Sequence, residues 1–123
     1  MNIAAVADTH AVLWYIYASP DLSERAKSFI EHSANNGLLI GVSTISLAEM
    51  VYLIEKRRIA HDAYIRLKEQ LDHPENVLIE LQVTSQIVEA MKLVPYADVP
   101  DFPDRIIAAT AKSLGVPVIT RDR

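Results

Sequence analysis

Four short apolar runs, separated by longer segments of helical periodicity, constrain this chain more than any other feature. They are residues 2–7, Leu38-Leu39-Ile40-Gly41-Val42, Val77-Leu78-Ile79-Glu80-Leu81 and Val116-Pro117-Val118-Ile119-Thr120. Runs of this length are strands. Strands separated by helices imply a parallel sheet with right-handed crossovers. The second run is apolar on both faces, as a central parallel strand must be. The third is interrupted by Glu80 and belongs nearer an edge. The predicted fold is a three-layer α/β/α sandwich around a parallel sheet of four strands, or five.

The intervening segments supply the helices. Val12, Leu13 and Ile16 lie three to four apart in a helix from Thr9 to Ala18, made unusually aromatic by Trp14, Tyr15 and Tyr17. A helix this apolar on several sides should bury more than one face, in the core or at a dimer surface. Pro20 ends it. Asp21 or Ser23 caps a second helix, which Asn35-Asn36-Gly37 closes. Ser43 and Ser46 both offer N-caps to a third, and Ser46-x-x-Glu49 has the form of a capping box. Asp62 opens a fourth, ending near His73-Pro74. Thr84 caps a fifth, from 85 to 94. Asp101 caps a sixth, with Pro103 in its first turn and Gly115 as its stop. No repeat, linker or low-complexity stretch divides residues 1–123, so one domain is expected.

Composition narrows the function. No cysteine is present, which removes disulfide scaffolds and thiolate metal sites. No apolar run reaches the roughly 18–20 residues of a membrane span. No basic region precedes the first apolar run, so no secretory signal is expected. These features lead to the expectation of a cytoplasmic protein. The formal net charge is −4, which argues against binding nucleic acid through bulk positive charge. A nuclease with an acidic metal site is still compatible with it.

The acids are the informative residues. Asp8 directly follows the first strand and Asp122 the last, so both should emerge on one rim of the sheet. In open α/β folds ligands sit beyond the carboxyl ends of the strands. Glu49 lies within two turns of a helix that starts at that rim. Asp104 lies in the first turn of the helix preceding the last strand. Each has an ordinary explanation: Asp8 as an N-cap, Glu49 as half of a capping box, Asp104 as a charge favouring a helix N-terminus, Asp122 as a solvated terminal residue. The four placements together point to one acidic pocket. Grouped carboxylates repel unless a cation neutralises them, and oxygen-only ligands select Mg²⁺ or Mn²⁺ over zinc. His10, His32, His61 and His73 have no zinc-ligand spacing, and His10 is expected at the pocket mouth or among the aromatics. Such a site suits phosphodiester hydrolysis.

In four segments the chain resembles a PIN-domain ribonuclease, and in particular the toxin half of a bacterial VapBC toxin–antitoxin pair. They are Asp8-Thr9-His10-Ala11-Val12-Leu13-Trp14, Val42-Ser43-Thr44-Ile45-Ser46-Leu47-Ala48-Glu49, residues 101–111 from Asp101-Phe102-Pro103-Asp104 onward, and Val118-Ile119-Thr120-Arg121-Asp122. The resemblance implies that Asp8, Glu49, Asp104 and Asp122 are the catalytic, metal-binding acids. It brings in Asp101 as an extra acid, with Thr9 and Thr120 as small hydroxyl residues near the metal. It also implies Mg²⁺- or Mn²⁺-dependent RNA cleavage, a homodimer, and inhibition by an antitoxin protein. Relatives usually run on past the position of Asp122, whereas this chain stops at Arg123, so a missing tail would loosen that part of the site.

Lys56, Arg57, Arg58, Arg105, Lys112, Arg121 and Arg123 are candidates for RNA-backbone contact. Arg105 and Arg121 stand beside site acids and are preferred, whereas residues 56–58 read more simply as solvated charges. Two other functions compete with the nuclease. One is a non-catalytic PIN-like interaction module with a degenerate site. The other is a phosphoacceptor domain, disfavoured because Gln82-Val83-Thr84 stands where its acceptor aspartate should follow the third strand.

Overall fold

The computed structural model describes residues 2–120. Four strands, β1 (Ile3–Ala7), β2 (Leu39–Ser43), β3 (Leu78–Leu81) and β4 (Val118–Ile119), form one sheet in the order β3-β2-β1-β4. Every neighbouring pair is parallel. Six helices flank it: α1 (Thr9–Ile16), α2 (Glu24–Asn35), α3 (Thr44–Glu55), α4 (Ala63–Asp72), α5 (Ser85–Ala90) and α6 (Phe102–Leu114). The sandwich expected from the apolar runs is the fold observed, and β3 is an edge strand.

The strand order creates the functional crevice. From β1 the chain steps outward through β2 to β3, then crosses back past β1 to place β4 on its other side. Successive connections therefore leave in opposite directions on either side of β1. In such sheets this switch point is where ligands bind. Right-handed crossovers put the outward and return helices on opposite faces. The apolar clusters follow that division. Ala5, Ala7, Ile40 and Val42 pack with α1, α2 and α4 on one side, whereas Val6 packs with Ile107 and Ala111 of α6 on the other.

Several boundaries shift. The last strand has two ladder residues rather than five, extended by the Val6 amide donating to the Pro117 carbonyl at 3.0 Å. The segment expected to be helical over 85–94 breaks into α5 and a 3-10 turn, Met91–Leu93. The start of α4 at Asp62 is as expected, although Asp62 makes no side-chain cap bond. Its carboxylate is instead taken by the Tyr17 hydroxyl, which donates to Oδ1, and by Arg66 Nε at 3.0 Å. Burial and this hydrogen bond push the Tyr17 phenol up to about 12, and the same hydrogen bond, with Arg66, holds the Asp62 carboxyl below its usual range. Burial also raises Tyr15, and Glu31 adds to it. Trp14, Tyr15 and Tyr17 are half-buried against the larger apolar cluster.

Candidate active-site cleft

A cleft of about 650 Å³ opens at the carboxyl ends of β1 and β4. Asp8, Glu49, Asp101 and Asp104 line it, as do Thr9 and Thr120. Each is delivered by a local device. Asp8 leaves β1 in an extended conformation, tied to β4 by its amide donating to the Ile119 carbonyl at 2.9 Å. Its Oδ1 accepts from the Ala11 amide at 2.9 Å and caps α1. Asp101 caps α6 in the same way, accepting from the Asp104 amide at 3.2 Å. Asp104 rides in the first turn of that helix.

The ordinary and the functional explanations of these residues therefore coexist. Helix N-termini carry partial positive charge, so α1 and α6 offset part of the negative charge drawn to the cleft. This weakens the expectation that only a cation can relieve the acids.

Glu49 departs further from expectation. The capping box is not formed: Ser43 is the N-cap of α3, accepting from the Ile45 amide at 3.2 Å. Ser46 lies inside the helix, 0 % exposed, facing α1. Thr9, 3 % exposed, has its hydroxyl 2.6 Å from Glu49 Oε1 and 2.9 Å from Ser46 Oγ. An ionised carboxylate only accepts, and a threonine has one hydroxyl proton. Thr9 therefore donates to Glu49, and Ser46 donates to Thr9. A buried polar pair unsuited to an apolar interface is satisfied by fixing the Glu49 side chain.

Of the other lining residues, Asp98 and Tyr52 were not singled out from the sequence, whereas Arg58 was among the candidates for RNA-backbone contact. Asp98 adds a carboxylate, and Tyr52 and Arg58 come from the far end of α3 and the turn after it. His10 lines the cleft and packs edge-on against Trp14, ring centroids 6.0 Å apart, so both expected positions hold. Arg105, preferred from the sequence as an RNA contact, makes structural hydrogen bonds. Its Nη2 donates to the carbonyls of Met91 at 2.9 Å and Val94 at 3.2 Å, and its guanidinium lies 5.9 Å from the Tyr96 ring. Neighbours one apart on a helix do not share a face. With Asp104 at the cleft, Arg105 is turned toward the 3-10 segment. Asp122 and Arg121 lie outside the described residues.

Among the described residues, no three acids or histidines are drawn together closely enough to hold a metal ion. The donor chemistry of the cleft is nevertheless oxygen-only and anionic, the set that suits Mg²⁺ or Mn²⁺.

Comparison with known proteins places this geometry. A family model described as PIN domain matches residues 5–123. The chain belongs to the PIN domain family. Members of this family are generally nucleases. Among solved structures, the chain is similar to one described as the crystal structure of VapBC2 from Rickettsia felis bound to a DNA fragment from their promoter. The TM-score is 0.66 at 18% identity, covering 94% of this chain and 86% of that one. At this identity the likeness is one of fold. No curated protein matches the chain. Among the described residues, no helix of this PIN domain is long and apolar enough to cross a membrane.

Proposed function

We propose that this PIN domain is a metal-dependent endoribonuclease and the toxin of a type II toxin–antitoxin pair. The observation that carries the reading is the convergence of Asp8, Glu49, Asp101 and Asp104 on one cleft at the sheet's switch point. Asp8, Glu49 and Asp104 would hold the ion, with Asp101 and Asp122 as further carboxylates. Bound there, Mg²⁺ or Mn²⁺ supplies an acidified water and a counter-charge for the leaving oxygen. The protein's own residues do the positioning. Asp8 is fixed by its cap bond to α1, Glu49 by Thr9 and Ser46, and Asp104 by the first turn of α6. Thr120 offers a hydroxyl at the β4 edge of the cleft.

An antitoxin and a second copy of the chain both need apolar surface. Val51 and Tyr52 on α3, Leu93 and Tyr96 before α6, and Phe102 at its start are large apolar side chains left to solvent. Light scattering of the purified chain distinguishes a homodimer from a monomer.

The test of the nuclease is cleavage. RNA incubated with the protein and Mn²⁺, free of antitoxin, should be cut, and Asp8→Asn and Glu49→Gln should each abolish cutting. Intact RNA across a broad transcript pool in ample Mn²⁺ would defeat the reading. A second reading, a non-catalytic PIN module, is favoured by one observation: the described acids do not form a three-ligand group. It predicts no Mn²⁺ binding.

A further inference from the structure

The cleft carries a charge problem that its acids cannot solve. Asp8, Glu49, Asp98, Asp101 and Asp104 line it, and a phosphodiester approaching them is repelled. Among the described lining residues, Arg58 is the one with a permanent positive charge. Yet Arg58 makes no ion pair within 4.0 Å with any described carboxylate. Two other described cations are engaged elsewhere. Lys56 Nζ lies 5.7 Å from the Tyr52 ring centroid, and Arg105 clamps the Met91 and Val94 carbonyls.

The backbone at Arg58 is built to hold its position. Helix α3 ends with Arg57 in the left-handed region, φ 59. The Arg57 amide donates to the Ile54 carbonyl and the Arg58 amide to the Leu53 carbonyl, each at 2.9 Å. This is the Schellman closure, in which glycine normally occupies the left-handed position. An arginine there carries a conformational cost of about 1 kcal/mol or more. The result is a sharp reversal that sets Arg58 against the cleft rather than on the next turn of a continued helix.

We propose that Arg58 is the phosphate-binding side chain of this cleft, gripping a backbone phosphodiester of single-stranded RNA beside the metal-site acids. This rests on the nuclease reading and deepens it. A guanidinium offers two parallel donors to the two non-bridging oxygens of one phosphate. Among the described residues no carboxylate pairs with it, which leaves that fork available.

The probe is a fluorescein-labelled, fully 2′-O-methylated single strand of mixed sequence, which binds but resists cleavage. Its affinity is measured by anisotropy in Mg²⁺ across a salt series. Arg58→Ala should weaken binding about tenfold, as expected for a charge-assisted pair. It should also flatten the log–log salt slope by about 0.7, the value for one phosphate contact on a single strand. Arg58→Lys should keep the slope and recover part of the affinity. Lys27→Ala, the same charge change on the exposed face of α2, should alter neither. Circular dichroism and Mn²⁺ calorimetry should be unchanged in Arg58→Ala; if that variant does not fold, Arg58→Gln takes its place. An Arg58 variant indistinguishable from Lys27→Ala overturns the proposal and leaves the nuclease intact. Failure of the unaltered protein to bind the strand at all overturns both.

Discussion

Replacing Thr9 by valine removes one hydroxyl and leaves the side chain's shape almost unchanged. The structure makes the consequence large. Ser46, 0 % exposed, loses its hydrogen-bond partner, and Glu49 loses the donor 2.6 Å from Oε1. Stranding a buried hydroxyl costs about 1–3 kcal/mol, and a bond to a charged acceptor is worth about 1.5–3 kcal/mol, partly recovered from solvent at the cleft. A total of about 2–3 kcal/mol follows, or a fall in Tm of roughly 3–6 °C per kcal/mol for a chain of this size. Ser46→Ala should cost less, about 1 kcal/mol, because Thr9 can still donate to Glu49. The double variant should cost less than the sum, with a coupling of about 1 kcal/mol. Urea unfolding of the four proteins measures this directly. Strict additivity, or a Thr9→Val cost below about 0.5 kcal/mol, would refute the assignment of donors and acceptors.

Tyr17→Phe should destabilise the protein by about 1 kcal/mol near neutrality. The Tyr17 phenol is raised to about 12 in the folded protein, so its contribution is complete below pH 10 and fades as pH climbs toward 12. The Asp62 carboxyl is lowered, so its share is present above its unfolded pKa and is lost as acid protonates it. The gap between the two proteins in pH-dependent urea melts should narrow at both extremes; a constant gap would contradict the pairing. Arg105→Ala should destabilise by about 1–3 kcal/mol by releasing two carbonyls, while leaving the RNA salt slope unaltered. A shallower slope would restore Arg105 as a phosphate contact. Arg57→Gly should raise stability by about 1 kcal/mol, because glycine adopts φ 59 without strain. A lower Tm would show that Arg57 makes a compensating contact.

The fold was readable because its strands announce themselves. Ile40-Gly41-Val42 is apolar on both faces because both faces are covered, and Glu80 marked β3 as an edge. Asp8 was readable for the same reason, as the first polar residue after a buried run. Ser23, Thr84 and Asp101 cap their helices as their local sequence indicates. What failed depends on contacts distant in sequence. Ser46-x-x-Glu49 satisfies the capping-box pattern, yet packing against Thr9, 37 residues away, draws Ser46 into the helix interior. Ser43 then takes the cap. Asp62 does open α4 as its local sequence indicates, but Tyr17, 45 residues earlier, occupies its carboxylate in place of a cap bond. Arg105 neighbours Asp104 in sequence, yet a step of one residue turns a helix by about 100°, and its side chain reaches the Met91 and Val94 carbonyls, a contact no local pattern announces. Arg58 was named among the candidate RNA contacts but not preferred. A run of three basic residues reads as a solvated face, and only the left-handed turn at Arg57 separates Arg58 from the other two.

Titration calorimetry with Mn²⁺, on the unaltered protein and on Asp8→Asn, bears most directly on whether this cleft exists to hold a divalent ion. The expected result is a saturable isotherm that is lost when one carboxylate oxygen of Asp8 is exchanged for an amide nitrogen. A flat trace for the unaltered protein, or an isotherm untouched by Asp8→Asn, would mean the acids at the β1–β4 crevice serve the helices they cap and nothing more.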